Sequence, residues 1–478
     1  MNNKKFSVIT LVISLSACSM MPTYERPAAP APTAWPDSVK LKATGIALAE
    51  WQHYFPDPRL QGLIAAALEN NRDLRISTAR IAEARAQYGI QSADRLPNVN
   101  LAASRNASRT PADLSSTGSV LTTQRYDVNV NVVSYELDFW GRVSSLSASA
   151  KASYLATESA QHAFRLSLIA DVANAYLSLL EMRERTQLAD ATVKARAESR
   201  DLMSRRREAG VSNDTDWLQA EGSYQSAAAD LANLQQQRAA AENLLNLLVG
   251  KSVAEIKDLP SGLSLAEQGI NSNLFAGLPA DVLLRRPDVL AAEQQLIAAN
   301  ANVGAARAAF FPRISLTGSA GTASNSLAGL FDAGSGAWSF LPSISMPLFD
   351  AGRNSANVDI TQARKVIAVA SYEKTIQQAF REVADLLTAR DRLAEQLTAQ
   401  QANAEAQKHL LTLVEARYRV GIVSYLEVLD AQRQAFAAEQ GEIQVRREWF
   451  SAATQLYKAL AGESNDSMAK PPQEATSK

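Results

Sequence analysis

The stretch RYRVGIVSYLEVLDA, residues 417–431, ends one helix and starts another around a single glycine, Gly421. Behind it, residues 353–420 contain neither glycine nor proline, a run of 68 residues. A second run of the same length, 142–209, ends the same way at Gly210 in RRREAGVS (205–212). Proline breaks helix interiors and glycine weakens them, so both runs are open to continuous helix. At 1.5 Å per residue each would extend about 100 Å. Leu166, Ile169, Ala173, Tyr176 and Leu180 step by 3, 4, 3, 4, and Ile376, Phe380, Val383 and Leu387 by 4, 3, 4. That is a coiled-coil-like seam.

The two runs belong to a longer repeat. ADRLPNVNLAAS (93–104) matches AAFFPRISLTGS (308–319) at an offset of 215. FWGR (139–142) matches DAGR (350–353), and Gly141 and Gly352 are 211 apart, as are Gly210 and Gly421. LLNLLVG (244–250) matches LYKALAG with an offset of 212. A nearly constant offset over more than 150 residues implies a duplicated half-fold. Each copy reads as a short helix (about 60–94 and 288–310), two strands, a long helix, a tight turn and a shorter helix (about 213–249 and 423–461). The copies span 60–250 and 281–462, with an inter-repeat linker at 251–280 and a tail at 463–478.

Between the helices the period becomes two. Val128, Val130 and Val132 alternate with Asp127, Asn129 and Asn131, and Trp338, Phe340, Ile344, Met346 and Leu348 fall in even steps. Four strands are expected, at about 97–109, 124–138, 312–323 and 337–349. Apolar-out and polar-in alternation marks a membrane barrel, and Phe139, Trp140, Phe310, Phe311 and Phe349 fall where an aromatic girdle belongs. Four strands cannot close a barrel, and open edges in lipid leave backbone groups unsatisfied. Two, three or four chains would pool eight, twelve or sixteen strands. Eight strands usually leave an interior filled by side chains, so a channel favours three or more chains.

The amino terminus gives an address. Lys4 and Lys5 precede a short apolar run to Ala17, too short to span a bilayer, so 1–17 reads as a signal peptide. LSAC, ending at Cys18, resembles a bacterial lipobox, in which the cysteine is lipidated and becomes the new terminus. Ser19 in place of aspartate favours the outer membrane by resemblance to a common Gram-negative sorting rule. Residues 18–59 form a lipidated leader, Ala/Pro-rich to about Gly45. Cys18 is the chain's one cysteine, so no disulfide or redox site follows.

Composition excludes several functions. With 48 basic and 49 acidic residues there is no polyanion-binding footprint, so no nucleic-acid partner is expected. His53, His162 and His409 lie far apart and suggest no metal site. No Walker loop, HExxH or credible catalytic triad is present, so neither an enzyme nor a cofactor beyond the lipid on Cys18 is expected.

YELDFWGR (135–142), GLPADVLLRRPDV (277–289), ANVGAARAAFFPRISLTGSAG (301–321), MPLFDAGR (346–353), YLEVLDAQR (425–433) and the lipobox together resemble the TolC family, in its lipidated OprM-like branch. The resemblance implies a homotrimer with a twelve-stranded membrane β-barrel and a long all-α periplasmic barrel. It also implies an efflux exit channel in the outer membrane, working with a periplasmic adaptor and an inner-membrane resistance-nodulation-division transporter. By the same resemblance Gly210 and Gly421 lie in the periplasmic tips. Arg207, Val211, Arg419 and Ile422 flank them as adaptor contacts. Leu426 and Asp430, four apart on one helix face, match the closed periplasmic constriction. Glu427 matches a further acidic gate position and Tyr418 a tyrosine that holds the closed state. Val423 stands where some relatives carry a basic residue, and Gln219 stands opposite Asp430 in the first copy. A passive or substrate-specific porin and a structural coiled-coil lipoprotein are the competing readings.

Overall fold

The computed structural model describes residues 19–30, 50–257, 259–270 and 280–460 of the chain. The signal segment 1–17, Cys18 and the tail 463–478 lie outside the described residues. The first repeat comprises α1 (Trp51–Tyr54), α2 (Pro58–Asn70), α3 (Arg72–Ala93), β1 (Val99–Thr110), β2 (Leu121–Leu137), α4 (Arg142–Glu208) and α5 (Asp214–Val249). The second comprises α6 (Pro287–Ala308), β3 (Arg313–Ser324), β4 (Gly336–Ser345), α7 (Arg353–Arg419) and α8 (Tyr425–Ala459). Thus α4 and α7 fill the two breaker-free runs, 67 residues each.

Three boundaries differ from the sequence reading. The helix expected at about 60–94 is two helices, because Asn71 turns extended (φ −61°, ψ 130°) and its side-chain oxygen accepts from Leu74 N at 2.9 Å. The strand expected to reach 349 stops at Ser345, and Met346, Leu348 and Phe349 continue outside it, exposed. Ser345 pairs with Arg313, the first residue of β3, so beyond it no partner strand remains within the chain. The end of the 18–59 leader is also part of the core. Trp51, Tyr54, Phe55 and Asp57 are buried, and Asp57 caps α2 by accepting from Arg59 N and Leu60 N.

The chain divides into two compact units. In the first (described residues 19–28, 80–158 and 291–373), an antiparallel sheet runs in the order β1-β2-β3-β4. The two copies meet in the β2–β3 pair, and β1 and β4 are left as edges. Register places Leu101, Val130, Ala320 and Trp338 in one row, and Val99, Val132, Gly318 and Phe340 in the next. The opposite face carries Asn100, Asn131, Ser319 and Ser339, with the Ser319 and Ser339 hydroxyls 2.8 Å apart. A bulge between Val132 and Tyr135, with Ser134 at φ 54°, keeps the apolar face continuous into Tyr135 and Leu137. Below the strands, Asp138 accepts from Val143 N and Ser144 N to start α4, and Asp350 accepts from Gly352 N and Asn354 N to start α7.

The segment that follows Cys18 is fastened to this unit. Met20 N donates to Trp140 O at 3.3 Å, and Asn300 Nδ2 donates to Pro22 O at 2.8 Å. Arg26 grips Glu293 with both Nε (2.6 Å) and Nη2 (2.7 Å). Ser19 therefore sits beside the Trp140–Phe311 stack at the sheet's helical end.

Among the described residues, the second unit (within 29–79, 159–290 and 374–478) is helical. The apolar seam of α4 supplies its core: Ile169, Ala173, Tyr176 and Leu177 are at most 1% exposed. Tyr54, Phe55 and Tyr457 pack as an aromatic cluster, and Tyr54 OH donates to Ala453 O at 2.7 Å. Arg286, buried, ties three elements. It donates to Asp288 (3.0 and 2.8 Å), to Glu382 (2.8 Å) and to Ala459 O (2.8 Å) at the end of α8. Removing one partner of a buried ion pair strands the others, at about 3–5 kcal/mol. Asp288 and Glu382 keep a third or more of their side-chain surface, so the low end applies. Arg286→Ala is expected to destabilise this unit by about 3 kcal/mol. A lowered melting temperature of the helical circular-dichroism signal in detergent checks this, and an unchanged melt refutes it.

Candidate functional site

The sites of interest lie in the second unit, where α4 hands over to α5 and α7 to α8. Both turns are built alike. Val211 N donates to Arg206 O (2.9 Å) and Gly210 N to Arg207 O (2.9 Å); Ile422 N donates to Arg417 O (3.0 Å) and Gly421 N to Tyr418 O (2.9 Å). This paired pattern is the Schellman stop, which requires a left-handed residue at its corner. Gly210 (φ 73°) and Gly421 (φ 77°) supply it without the backbone strain that a residue with a Cβ carries at positive φ. The next helix restarts at once. Asn213 accepts from Asp216 N to cap α5, and Ser424 accepts from Glu427 N to cap α8.

Glu427 is engaged locally. Its carboxylate accepts from Ser424 N at 3.2 Å, completing a capping box that anchors the first turn of α8. The pattern Ser424-x-x-Glu427 carries that role in the sequence, beside the acidic gate position named for Glu427.

Tyr418 joins the two hairpins. Its hydroxyl accepts from Arg206 Nη1 at 2.9 Å, and its ring lies 5.7 Å from that of Tyr425. The Tyr425 hydroxyl is 2.8 Å from Ser199 Oγ. Burial raises the pKa of this tyrosine above its ordinary value, so it holds that bond as a neutral phenol. Met203, Ala220, Tyr425 and Val428 form the small buried core behind these contacts. The basic partner of Tyr418 therefore comes from the first copy, 212 residues away, while Val423 occupies the local position. Arg206, Met203 and Ser199 escaped the sequence reading because nothing local marks them.

The remaining residues sit on the surface. Val211, Val420 and Ile422 are about two-thirds exposed (67%, 69% and 67%), and Arg419 is exposed. Arg207 lies 4.3 Å from the centre of the Trp217 ring and 3.9 Å from Asp214. Leu426 is 60% exposed. Asp430, one turn on, accepts from Arg433 Nη2 and from Gln434 Nε2, each at 2.5 Å. Leu426 and Asp430 thus share a face of α8, and Asp430 carries its own counter-charge. Arg433, three residues on, was legible as an i,i+3 pair.

A duplicated chain with a lipid-compatible four-stranded sheet and two glycine-stopped helix hairpins defines the class of outer-membrane channel proteins with periplasmic helices. The chain matches the Outer membrane efflux protein family over residues 63–251 and 278–462, one match per copy, and it belongs to that family. It is 44% identical over 457 residues to the solvent efflux pump outer membrane protein SrpC of Pseudomonas putida, covering 94% of this chain and 96% of that one. It is 43% identical to outer membrane protein OprJ of Pseudomonas aeruginosa, covering 95% of each. The open state of the Neisseria gonorrhoeae MtrE outer membrane channel superposes with a TM-score of 0.83 at 38% identity, covering 93% of this chain and 98% of that one. The chain is therefore an efflux channel of the outer membrane with a periplasmic helical part. Its fold class is a duplicated half-fold, four strands per chain pooled into a trimeric membrane β-barrel, together with an α-helical barrel.

Proposed function

We propose that this chain is the exit duct of a tripartite pump, docking through its hairpin tips onto a periplasmic adaptor that couples it to an inner-membrane resistance-nodulation-division transporter. The observation that carries the reading is the pair of matched tips. Each is stopped by an exposed glycine and flanked by exposed apolar residues (Val211, Val420, Ile422) beside basic ones (Arg207, Arg419). Exposed aliphatic groups on a rigid turn suit the end of another helical hairpin. The cargo is of the apolar kind that the relative named for solvent efflux suggests. Leu426 and Asp430 form the periplasmic gate, with Tyr418 and Glu427 fixing the start of the helix that carries them. A photo-crosslinker placed at Val211 or Ile422 in cells is expected to trap the adaptor. Trapping only other copies of this chain would refute the docking.

Cys18 is the lipid-bearing terminus. The clamp from Met20 to Arg26 supports this, because it leads the chain to the sheet's helical end, where an acyl chain meets the membrane. Acyl chains add affinity through buried CH₂ groups, yet a barrel supplies most of the attachment. Cys18→Ala is expected to leave trimers that are poorly processed and only partly functional. Mass spectrometry of the mature protein checks the modification, and an unmodified Cys18 refutes it.

A further inference from the structure

The outward face of the sheet is uneven in charge. Its register sets Val99, Leu101, Ala103, Arg105, Ala107 and Arg109 of β1 on the same side as Val128, Val130, Ala320, Trp338 and Phe340. Among the described strand residues this side carries no carboxylate. Its two charges, Arg105 and Arg109, are both exposed and both lie toward the β1–β2 hairpin, past the last apolar pair, Ala103 and Val128. The polar side differs. There Arg125 bonds Asp127 (2.8 Å) and Arg313 lies 3.2 Å from Glu136.

The two outward arginines are not idle in geometry. Arg105 is paired with Tyr126, and its Cζ lies 5.6 Å from the centre of that ring. Its Nη2 reaches Gln124 Oε1 at 3.4 Å, leaving most of its five donors unspent. Arg109 makes no ion pair among the described residues. A lipid-facing charge is costly at the midplane of a bilayer and tolerated at its interface, so these residues mark the outer boundary of the hydrocarbon. An arginine at that level meets headgroups, and its planar fork matches phosphate in a bidentate way.

We propose that Arg105 and Arg109, with Tyr126 as an aromatic support, form a binding site for the phosphates of an outer-leaflet lipid, present once per chain. About 13 Å separates the two alpha-carbons along the strand, a span that two long side chains adjust to a headgroup with more than one phosphate. The site rests on the reading that the apolar face of the sheet meets lipid.

The test uses the full trimer, purified in neutral detergent and stripped of lipid. It is titrated with bisphosphorylated lipid A, with the same lipid after phosphate removal, and with inorganic phosphate, and bound lipid is counted by native mass spectrometry. Wild type is expected to bind the phosphorylated lipid at least about tenfold more tightly than the dephosphorylated one, the scale of a charge-assisted hydrogen bond. Arg105→Gln combined with Arg109→Gln should abolish the preference, while Arg125→Gln, on the other face, should keep it. An unchanged preference in the double variant overturns the site. Displacement by millimolar inorganic phosphate overturns the lipid assignment in favour of a free-anion site. Loss of the preference in Arg125→Gln alone overturns the assignment of the outward face instead. If the double variant does not assemble, Arg105→Lys is titrated; it keeps the charge, loses the fork and should bind several-fold more weakly, and equal affinity overturns the proposal.

Discussion

Replacing Gly421 by tryptophan is expected to abolish export while leaving trimers in the outer membrane. The space around Gly421 is open, since a Cβ built there meets no heavy atom within 4 Å. The left-handed backbone (φ 77°) is the local cost, about 1–2 kcal/mol for a residue with a Cβ. That is small against the buried seam of α4 and the Arg286 network, so the chain should fold and assemble. What changes is the surface an adaptor would meet. Two further variants separate the causes. Gly421→Asn tolerates the left-handed corner and adds little bulk, so it should retain most export. Gly421→Ala carries the strain without the bulk and should fall between. Dye accumulation in cells, trimer mobility on gels and adaptor crosslinking are read together. Normal crosslinking and export by Gly421→Trp would place the adaptor contact elsewhere.

How much of this was legible in the sequence depends on the range of the signal. The helices α4 and α7 were visible because absence of breakers is a local property. The strands were visible because their period is local too. The end of β4 is not legible because the even-step pattern of Met346 and Leu348 continues past Ser345, and periodicity does not register that the partner strand β3 begins at Arg313. The break at Asn71 was missed because asparagine is only a weak interrupter until its side chain is seen to cap the next helix. The tips show the same division. The glycine stops were legible, and so was the i,i+4 pairing of Leu426 with Asp430. The capping box at Ser424 and Glu427 was equally local and gives Glu427 a structural role. The Arg206–Tyr418 and Ser199–Tyr425 contacts join the two copies across more than 200 residues. No spacing rule reaches that far; only the duplication hints that the hairpins pair.

The second large effect concerns the gate. Around a three-fold axis the exposed Leu426 side chains would form an apolar ring and the Asp430 carboxylates a polar one. Asp430 is held by Arg433 at 2.5 Å, so such a ring would not be a bare cluster of negative charge. The pair is solvent-exposed and contributes little to stability, at most about 1 kcal/mol, so its loss should not unfold the helix. Asp430→Ala should leave three uncompensated Arg433 guanidiniums. Cation preference of the isolated channel is then expected to fall and conductance to rise, because a bonded side chain is removed from the aperture. Arg433→Gln should move selectivity the other way, toward cations. Leu426→Ser should raise conductance most, by widening and wetting the proposed apolar ring, with little effect on selectivity. Salt separates the two mechanisms. The screening length is about 10 Å at 0.1 M and about 3 Å at 1 M. The Asp430 and Arg433 selectivity shifts should therefore shrink at 1 M, while the Leu426 conductance gain persists. Single-channel recordings in planar bilayers at both concentrations read all three variants. Traces that coincide with wild type would mean that this face of α8 does not line the constriction, and the search would move to α4–α5 residues 205–220.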